Sequence, residues 1–249
     1  MKNLNALLAI LFCCTSLFTT AQTSGVISYT EVSKLNISTE NLPEGMDITG
    51  MFPSSVTVNK ELYFDGQKSL YKDGENDVAD RDMSSDDGSF QIKIMESTTE
   101  ALLYMDREKN EIIDQQGFMG KAFVVSYEMP KYKWKITNEK VKYLDYECMK
   151  ATTTNDKGEV VVAWFAPSLS SGSGPATYGQ LPGAILMLSV GDGQLEVKAT
   201  KVDLKDIKEI KKPKDGKKVT QEEYDKIQEE KIKEMEEEYG SGTVIEFKG

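Results

Sequence analysis

Residues 160–190 read VVVAWFAPSLSSGSGPATYGQLPGAILMLSV and decide the fold of this chain. Two apolar runs, Val160–Phe165 and Ala184–Val190, flank a loop of about 15 residues rich in Gly, Ser and Pro. Short runs rich in β-branched residues and bounded by turn residues predict strands. The second run is apolar on both faces, which predicts a central strand covered on both sides. Leu181-Pro182-Gly183 before it suits a type II turn, because proline fixes φ and glycine accepts a positive φ.

The rest of the chain repeats this pattern of short β-type runs separated by turn residues. Turns are predicted at Asp65-Gly66, at residues 107–110 and 155–158, and at Asp192-Gly193. An Asp-Gly pair between two alternating runs is typical of a hairpin. Turn signals at intervals this short favour an antiparallel meander that is closed or curled on itself.

The C-terminal region, residues 205–249, departs from the β pattern. It begins with a lysine-rich stretch that predicts a solvated linker. Thr220 and Glu223 form a capping box, and apolar residues then recur at helical spacing to about Tyr239. A short terminal strand is predicted at 243–247. The expected fold class is therefore mainly β, an antiparallel meander curled into a partial barrel or half-barrel, with one C-terminal amphipathic helix.

The N-terminus has the pattern of a secretory signal. A basic start precedes a mostly apolar run, and the small residues Thr19 and Ala21 suit cleavage after residue 21. We therefore expect residues 1–21 to be a cleaved signal peptide. Residues 22–204 should form the antiparallel β domain, with a mobile acidic loop at 72–89. The expected location is exported, either periplasmic or associated with the outer membrane.

The composition excludes several classes of chemistry. The chain has no His, and 30 Lys and Arg residues oppose 41 Asp and Glu residues, a net charge of −11. A His-dependent catalytic triad is therefore excluded, and zinc or copper would lack its usual nitrogen ligands. The negative field repels phosphate backbones, so no nucleic acid is expected as a partner. No cofactor, metal site or transmembrane helix is expected, and Cys148 should be buried rather than reactive.

The loop between the two apolar runs carries the candidate site. Long loops between buried strands are often functional, and two aromatic residues lie near the base of this one. The residues predicted to bind a ligand or partner are Trp164, Tyr178, Gly179, Leu181, Pro182 and Gly183. The alternative is that the loop plugs an open end of the sheet. No catalytic residue is predicted.

Several segments resemble the GLPGLI family, which is named after its own motif. Ala163–Pro167, Gly174-Pro175 and Gly179–Leu186 follow the order of the family's motifs, and Trp134–Thr137 and Tyr146–Ala151 resemble its upstream segments. The resemblance implies export from Gram-negative bacteria, and the family has no established activity. The departures from its pattern are an inserted Gln180, Ala184 in place of Leu, and Phe165 in place of Tyr.

Three functions are compatible with these features. The leading hypothesis is a non-catalytic envelope protein whose curled sheet presents the 166–183 loop to a small apolar ligand or to an envelope protein. The second is an enzyme that uses carboxylates, which predicts two acids in a cleft with pKa values pushed apart. The third is an assembly or interaction protein of the outer-membrane machinery, which predicts an exposed apolar patch.

Overall fold

The computed structural model describes residues 24–34, 54–74, 82–84, 91–93 and 99–239. These residues form short strands almost throughout, with one helix at the C-terminal end. The elements are β1 (Ser24–Lys34), β2 (Ser55–Asp65), β3 (Lys68–Asp73), β4 (Asp82–Ser84), β5 (Gln91–Lys93), β6 (Leu102–Asp106), β7 (Glu111–Phe118), β8 (Lys121–Glu128), β9 (Lys135–Tyr143), β10 (Tyr146–Thr154), β11 (Val160–Ala166), β12 (Ala184–Val190), β13 (Leu195–Leu204), β14 (Lys217–Thr220) and α1 (Gln221–Tyr239). The predicted mainly β class with one C-terminal helix is confirmed.

Twelve of the strands form one sheet, in the order β14-β8-β7-β6-β3-β2-β1-β13-β12-β11-β10-β9. All neighbours pair antiparallel except β14, which runs parallel to β8. Strand β1 lies near the middle, between β2 and β13. The strands up to β8 therefore extend to one side of β1, and β9 to β13 extend to the other. Strands β4 and β5 pair separately as a two-stranded sheet.

The connection between β8 and β9 requires the sheet to curl. These strands stand ten strand spacings apart in the sheet order, a distance of about 48 Å if the sheet were flat. Only seven Cα–Cα steps join Glu128 to Lys135, which span at most about 25 Å. The two ends of the sheet must therefore approach each other, and the sheet is a partly closed bowl rather than a plane. The predicted curled meander is confirmed.

The main core fills the concave face of this sheet. Its buried cluster combines Leu62 and Phe64 from one half with Val161 and Phe165 from the other. Tyr29 on the central strand is fully buried, and its hydroxyl donates a hydrogen bond to the carbonyl of Ile185 at 2.6 Å. Burial raises the pKa of Tyr29, so this hydroxyl remains a donor at every accessible pH. The two halves therefore share one hydrophobic core.

Strand β12 occupies the position predicted from its apolar pattern. Ala184, Ile185 and Leu186 are fully buried, which means that both faces of the first half of the strand are covered. Met187 and Ser189 are only partly buried, so the second half is covered on one face. The prediction of a central strand is confirmed, with full coverage limited to the end that follows the long loop.

Residues 205–216 pack against the sheet, although their lysine content predicts a solvated linker. Ile210 is buried on the convex face against Tyr104, Ile113 and Val124. The backbone N–H of Asp215 also donates to the side-chain oxygen of Gln115 at 3.1 Å. We call residues 205–216 the strap, because they cross the convex face from β13 in the middle of the sheet to β14 at its edge.

Helix α1 begins with the predicted capping box. The Thr220 hydroxyl accepts a hydrogen bond from the Glu223 N–H at 3.2 Å, and the Glu223 carboxylate accepts one from the Thr220 N–H at 2.9 Å. These two bonds satisfy backbone donors that the first helical turn leaves unpaired. Tyr224 then packs edge-on against Phe123, with ring centroids 5.2 Å apart. The cap and this contact fix the helix against β8 and β14.

Some predictions fall on residues outside the described ranges. These are the signal peptide at 1–21, the terminal strand at 243–247 and most of the acidic loop at 72–89. Within that loop, Asp82–Ser84 form β4, which pairs with β5. No helix in the described part of the chain is both long and apolar enough to cross a membrane.

Candidate functional site

The long loop between β11 and β12 folds down onto the sheet. The N–H of Ala184 donates to the carbonyl of Leu169 at 2.9 Å, and the N–H of Ile185 donates to the carbonyl of Ser173 at 3.0 Å. Leu169 and Leu181 are buried in the main core. The loop therefore packs onto the sheet through these backbone hydrogen bonds and buried side chains.

Tyr178 is the aromatic centre of this plug. Its ring stacks on Tyr132, with centroids 5.0 Å apart and an interplanar angle of 25°. The Trp134 indole N–H donates to the carbonyl of Gly179 at 2.8 Å, and the Tyr132 hydroxyl lies 2.9 Å from that of Thr177. Burial raises the pKa of Tyr178. The chain between β8 and β9 therefore holds the loop by ring stacking and hydrogen bonds.

Trp164 packs against the edge of the main core and makes no ring contact with Tyr178 among the described residues. It alternates along β11 with the buried Val161, Ala163 and Phe165, so its side chain emerges on the opposite face. The Lys150 ammonium lies 5.9 Å from the centroid of its ring.

The six predicted site residues differ in their exposure. Tyr178, Gly179, Leu181 and Gly183 are buried, Trp164 is partly buried, and Pro182 is exposed. Their role in binding stays a prediction.

The turn that leads into β12 differs from the predicted type II turn. The N–H of Gly183 donates to the carbonyl of Leu181 at 2.8 Å, which closes a three-residue turn. Gly183 has φ 157°, well outside the value near +80° that a type II turn requires. A Cβ atom at this position would lie 2.2 Å from the carbonyl oxygen of Ala166. Glycine is therefore required by the close approach of two backbones rather than by a type II geometry.

Arg107 ties the loop to the other half of the sheet, a role that no sequence motif indicates. Its guanidinium donates to the Ser173 hydroxyl at 2.7 Å and to the carbonyl of Gly66 in the β2–β3 turn. Desolvation lowers the pKa of Arg107, although the group stays charged. Both partners are distant in sequence, so no local pattern signals this contact.

A groove lies on the convex face, between the strap and the sheet. Its volume is about 450 Å³, which is within the range of small-ligand sites. We call it the strap groove and define it by its lining residues: Tyr63, Leu70, Lys72, Glu100, Leu102, Gln115, Glu209, Ile210, Lys211, Lys212, Pro213, Lys214 and Asp215.

Hydrogen bonds and an ion pair hold the strap above the groove. The Gln115 side chain accepts from the Asp215 N–H at 3.1 Å and donates to the Glu100 carbonyl at 3.2 Å. The Lys212 ammonium lies 2.5 Å from the Glu111 carboxylate. Gln115 is buried, so its two bonds fix the groove wall more firmly than the partly exposed ion pair does.

The walls of the strap groove combine an aromatic ring with polar groups of both signs. Tyr63, Leu70 and Leu102 supply the apolar surface of the sheet. The Lys72 ammonium lies 5.8 Å from the Tyr63 ring centroid and 3.4 Å from the Glu100 carboxylate. This chemistry suits an uncharged ligand that offers both C–H surface and hydrogen-bonding groups.

A family model described as N-glycanase peptide, N-terminal domain, matches residues 89–229. The matched part is more than half of the 249-residue chain. The chain belongs to this family. The matched residues include the strap and the strands from β5 to β14.

The fold of this chain is similar to that of part of PNGF-II, a protein of known structure. PNGF-II, in its P21 and C2 crystal forms, matches with a TM-score of 0.52 and 18% identity, over 82% of this chain. The match covers 33% and 32% of the PNGF-II chains, so this chain spans about a third of that protein's length. An uncharacterized conserved protein from Thermus thermophilus matches with a TM-score of 0.42 and 8% identity, over 80% of this chain and 91% of its own. No curated protein matches the chain.

The described residues contain no cluster of three Cys, Asp or Glu side chains placed to hold a metal ion. Cys148 is fully buried, as predicted, and burial raises the pKa of its thiol. A thiol held in its protonated form is a poor nucleophile. The cysteine therefore acts as a packing residue.

Asp114 is a largely buried carboxyl group on β7. Desolvation raises its pKa to about 6. The groups whose pKa the negative charge of Asp114 raises are Tyr127 and Tyr224, rather than a second acid. Burial alone shifts this pKa, so Asp114 does not supply the coupled pair of acids that the carboxylate-enzyme hypothesis requires.

Replacing Asp114 with Asn is expected to stabilise the protein at pH 7. Burial raises the folded-state pKa of Asp114 above its unfolded value. The free energy of unfolding of the wild-type protein therefore falls as the pH rises from about 4 through 6. We expect the Asn variant to be more stable by about 1–2 kcal/mol at pH 7, and the difference to vanish near pH 4. Urea denaturation at both pH values measures this. A difference that is independent of pH would contradict the assigned cause.

Proposed function

We propose that this chain is a non-catalytic recognition domain that binds an N-glycan or glycopeptide in the strap groove. The observation that carries the proposal is the groove itself, a cavity of about 450 Å³ with Tyr63 on one wall and amide and charged groups on the others. Sugar rings have apolar C–H faces and hydroxyl edges. A tyrosine ring beside hydrogen-bonding side chains complements both kinds of surface.

The family supports the same class of ligand. Ten of the 13 residues that line the groove fall inside the match to the N-glycanase N-terminal domain, and the others are Tyr63, Leu70 and Lys72. The family name refers to an enzyme of N-glycans. This chain spans only about a third of PNGF-II, so we propose glycan binding, rather than glycan hydrolysis, for this chain.

The cellular location forms part of the proposal. The signal pattern at residues 1–21 and the resemblance to the GLPGLI family support an exported protein of the cell envelope. An envelope domain meets glycoproteins and glycopeptides from outside the cell. The 166–183 loop then has a structural role, since Leu169, Tyr178 and Leu181 are part of the main core.

Tyr63→Ala is expected to weaken glycopeptide binding by about tenfold or more. The substitution removes the aromatic wall of the groove, and a tenfold loss corresponds to about 1.4 kcal/mol. Tyr63→Phe keeps the ring and should bind within about threefold of the wild type. Isothermal titration calorimetry would measure both variants with an asparagine-linked glycopeptide and with the free glycan released from it.

Trp164→Ala distinguishes the two candidate sites. It leaves the strap groove intact and changes the surface next to the predicted loop site, so we expect its affinity to match the wild type. Loss of binding in Trp164→Ala but not in Tyr63→Ala would place the ligand near the loop. The proposal fails if folded wild-type protein binds neither the glycopeptide nor the free glycan.

A further inference from the structure

Strand β9 is a long open edge of the twelve-stranded sheet. It pairs only with β10, and seven of its nine residues are exposed. The opposite edge strand, β14, has only four residues and leads directly into α1. An open edge strand presents a row of backbone N–H and C=O groups that another extended chain can pair with. The described part of the molecule therefore has one edge suited to strand addition, at β9.

This edge is basic, although the chain as a whole is acidic. Residues 131–143 contain five lysines and one acid, Glu139, a net charge of +4, whereas the whole chain carries −11. Lys140 pairs with Glu147 at 2.8 Å. No carboxylate in the described residues lies within 4 Å of the other four, which are Lys131, Lys133, Lys135 and Lys142. The unpaired positive charge is thus concentrated along the open edge.

Strand β9 also carries exposed apolar side chains. Ile136 and Val141 are 45% and 37% exposed, and they stand opposite the buried Ala151 and Cys148 of β10. Lys140 and Lys142 stand opposite Met149 and Glu147, on the alternate face. The pairing register shifts between Met149 and Ala151, so Ile136 and Val141 lie on either side of an irregularity in the β9–β10 pair. An added strand would place its own side chains directly beside these apolar residues and the lysines.

We propose that β9 is the docking edge for an extended acidic partner strand, which joins the sheet as the next strand after β9. Carboxylates of the partner lie beside the unpaired lysines, and its alternate apolar side chains lie beside Ile136 and Val141. The partner's backbone pairs with the free groups of β9. This surface lies apart from the strap groove, so the inference does not depend on glycan binding.

The same lysines explain why a second copy of the chain is not the partner that we propose. Two β9 strands brought edge to edge would place lysine rows beside each other, and like charges directly opposite destabilise a strand pair. Lysine on an open edge is a known means of preventing self-association. Pairing of two β9 edges is therefore disfavoured, whereas pairing of β9 with a strand of opposite charge is favoured.

A synthetic heptapeptide that alternates Glu and Val tests the proposal on the full-length protein. We expect it to bind in 50 mM NaCl and to slow amide hydrogen exchange within residues 135–143. Binding should weaken in 500 mM NaCl because exposed charges are then screened. A heptapeptide that alternates Lys and Val should not bind. A fully N-methylated form of the acidic peptide keeps the charges but cannot donate backbone hydrogen bonds, so it should not bind either.

Charge reversal on the protein supplies the matched comparison. The triple variant Lys133→Glu, Lys135→Glu and Lys142→Glu is expected to weaken peptide binding by at least about tenfold. A control triple variant changes the net charge equally at exposed lysines outside β9, and should bind within about twofold of the wild type. Its substitutions are Lys121→Glu, Lys157→Glu and Lys201→Glu.

Three results would overturn the proposal. Equal binding of the N-methylated peptide would show attraction of charges without strand pairing. Equal losses in the two triple variants would show that net charge matters and the edge does not. Protection of β9 amides that grows with protein concentration, without peptide, would identify a second copy as the occupant.

Discussion

Gly183→Ala is expected to lower the free energy of unfolding by about 3 kcal/mol or more. The added Cβ atom would lie 2.2 Å from the carbonyl oxygen of Ala166, 2.6 Å from its carbonyl carbon and 2.9 Å from the Cα of Pro167. All three atoms belong to the backbone at the start of the long loop, so no flexible side chain can move aside. Relief requires the loop to separate from β12, which would expose core residues. Urea denaturation measures the loss.

Gly158→Ala is the control for the glycine substitution. Gly158 has φ +80° in the turn between β10 and β11, and no atom lies within 4 Å of a Cβ placed there. The cost is then only that of holding alanine at a positive φ, about 1 kcal/mol. Similar losses in the two variants would show that the close approach at Gly183 contributes nothing beyond its backbone angle.

Phe165→Ala is expected to cost about 3–5 kcal/mol. Phe165 is 1% exposed and lies in the cluster that joins the two halves of the bowl. It precedes the long loop and pairs with Ile185 of β12, so the cavity would open where loop and strand meet. Phe165→Leu removes less volume and should cost about 1–1.5 kcal/mol. Equal midpoints for the two variants in urea would contradict the close packing that we describe.

Much of the fold is predictable because its signals are local. The turn residues between β2 and β3 and between β10 and β11 lie where the sequence places them, and so does the capping box at Thr220. The apolar run at 184–190 predicts its own burial. In each case, residues close together in the chain determine the structure, so tertiary contacts refine the prediction rather than replace it.

The arrangement of the candidate site residues depends on both local and long-range contacts. Trp164 and Tyr178 lie near the base of one loop, but period-two alternation along β11 places Trp164 on the face opposite the buried Phe165. The alternation was already present in the sequence. Tyr178, in contrast, is buried through its stacking on Tyr132, a contact between segments 46 residues apart that no local pattern encodes.

The strap groove could not be predicted from sequence. The strap is rich in lysine, and the few apolar residues that anchor it, chiefly Ile210, are too sparse to form a periodic pattern. Its position also depends on β14, which pairs parallel with β8 at residues nearly a hundred positions away. A long-range parallel pair of four residues leaves no signal in composition or spacing.

The most direct test of glycan recognition in the strap groove is chemical-shift mapping of the isotope-labelled protein with an asparagine-linked glycopeptide. The proposal predicts saturable shifts centred on Tyr63, Gln115 and the strap residues near Lys212, with residues 166–183 unchanged. Shifts confined to residues 166–183, or no shifts at saturating glycopeptide, would contradict it.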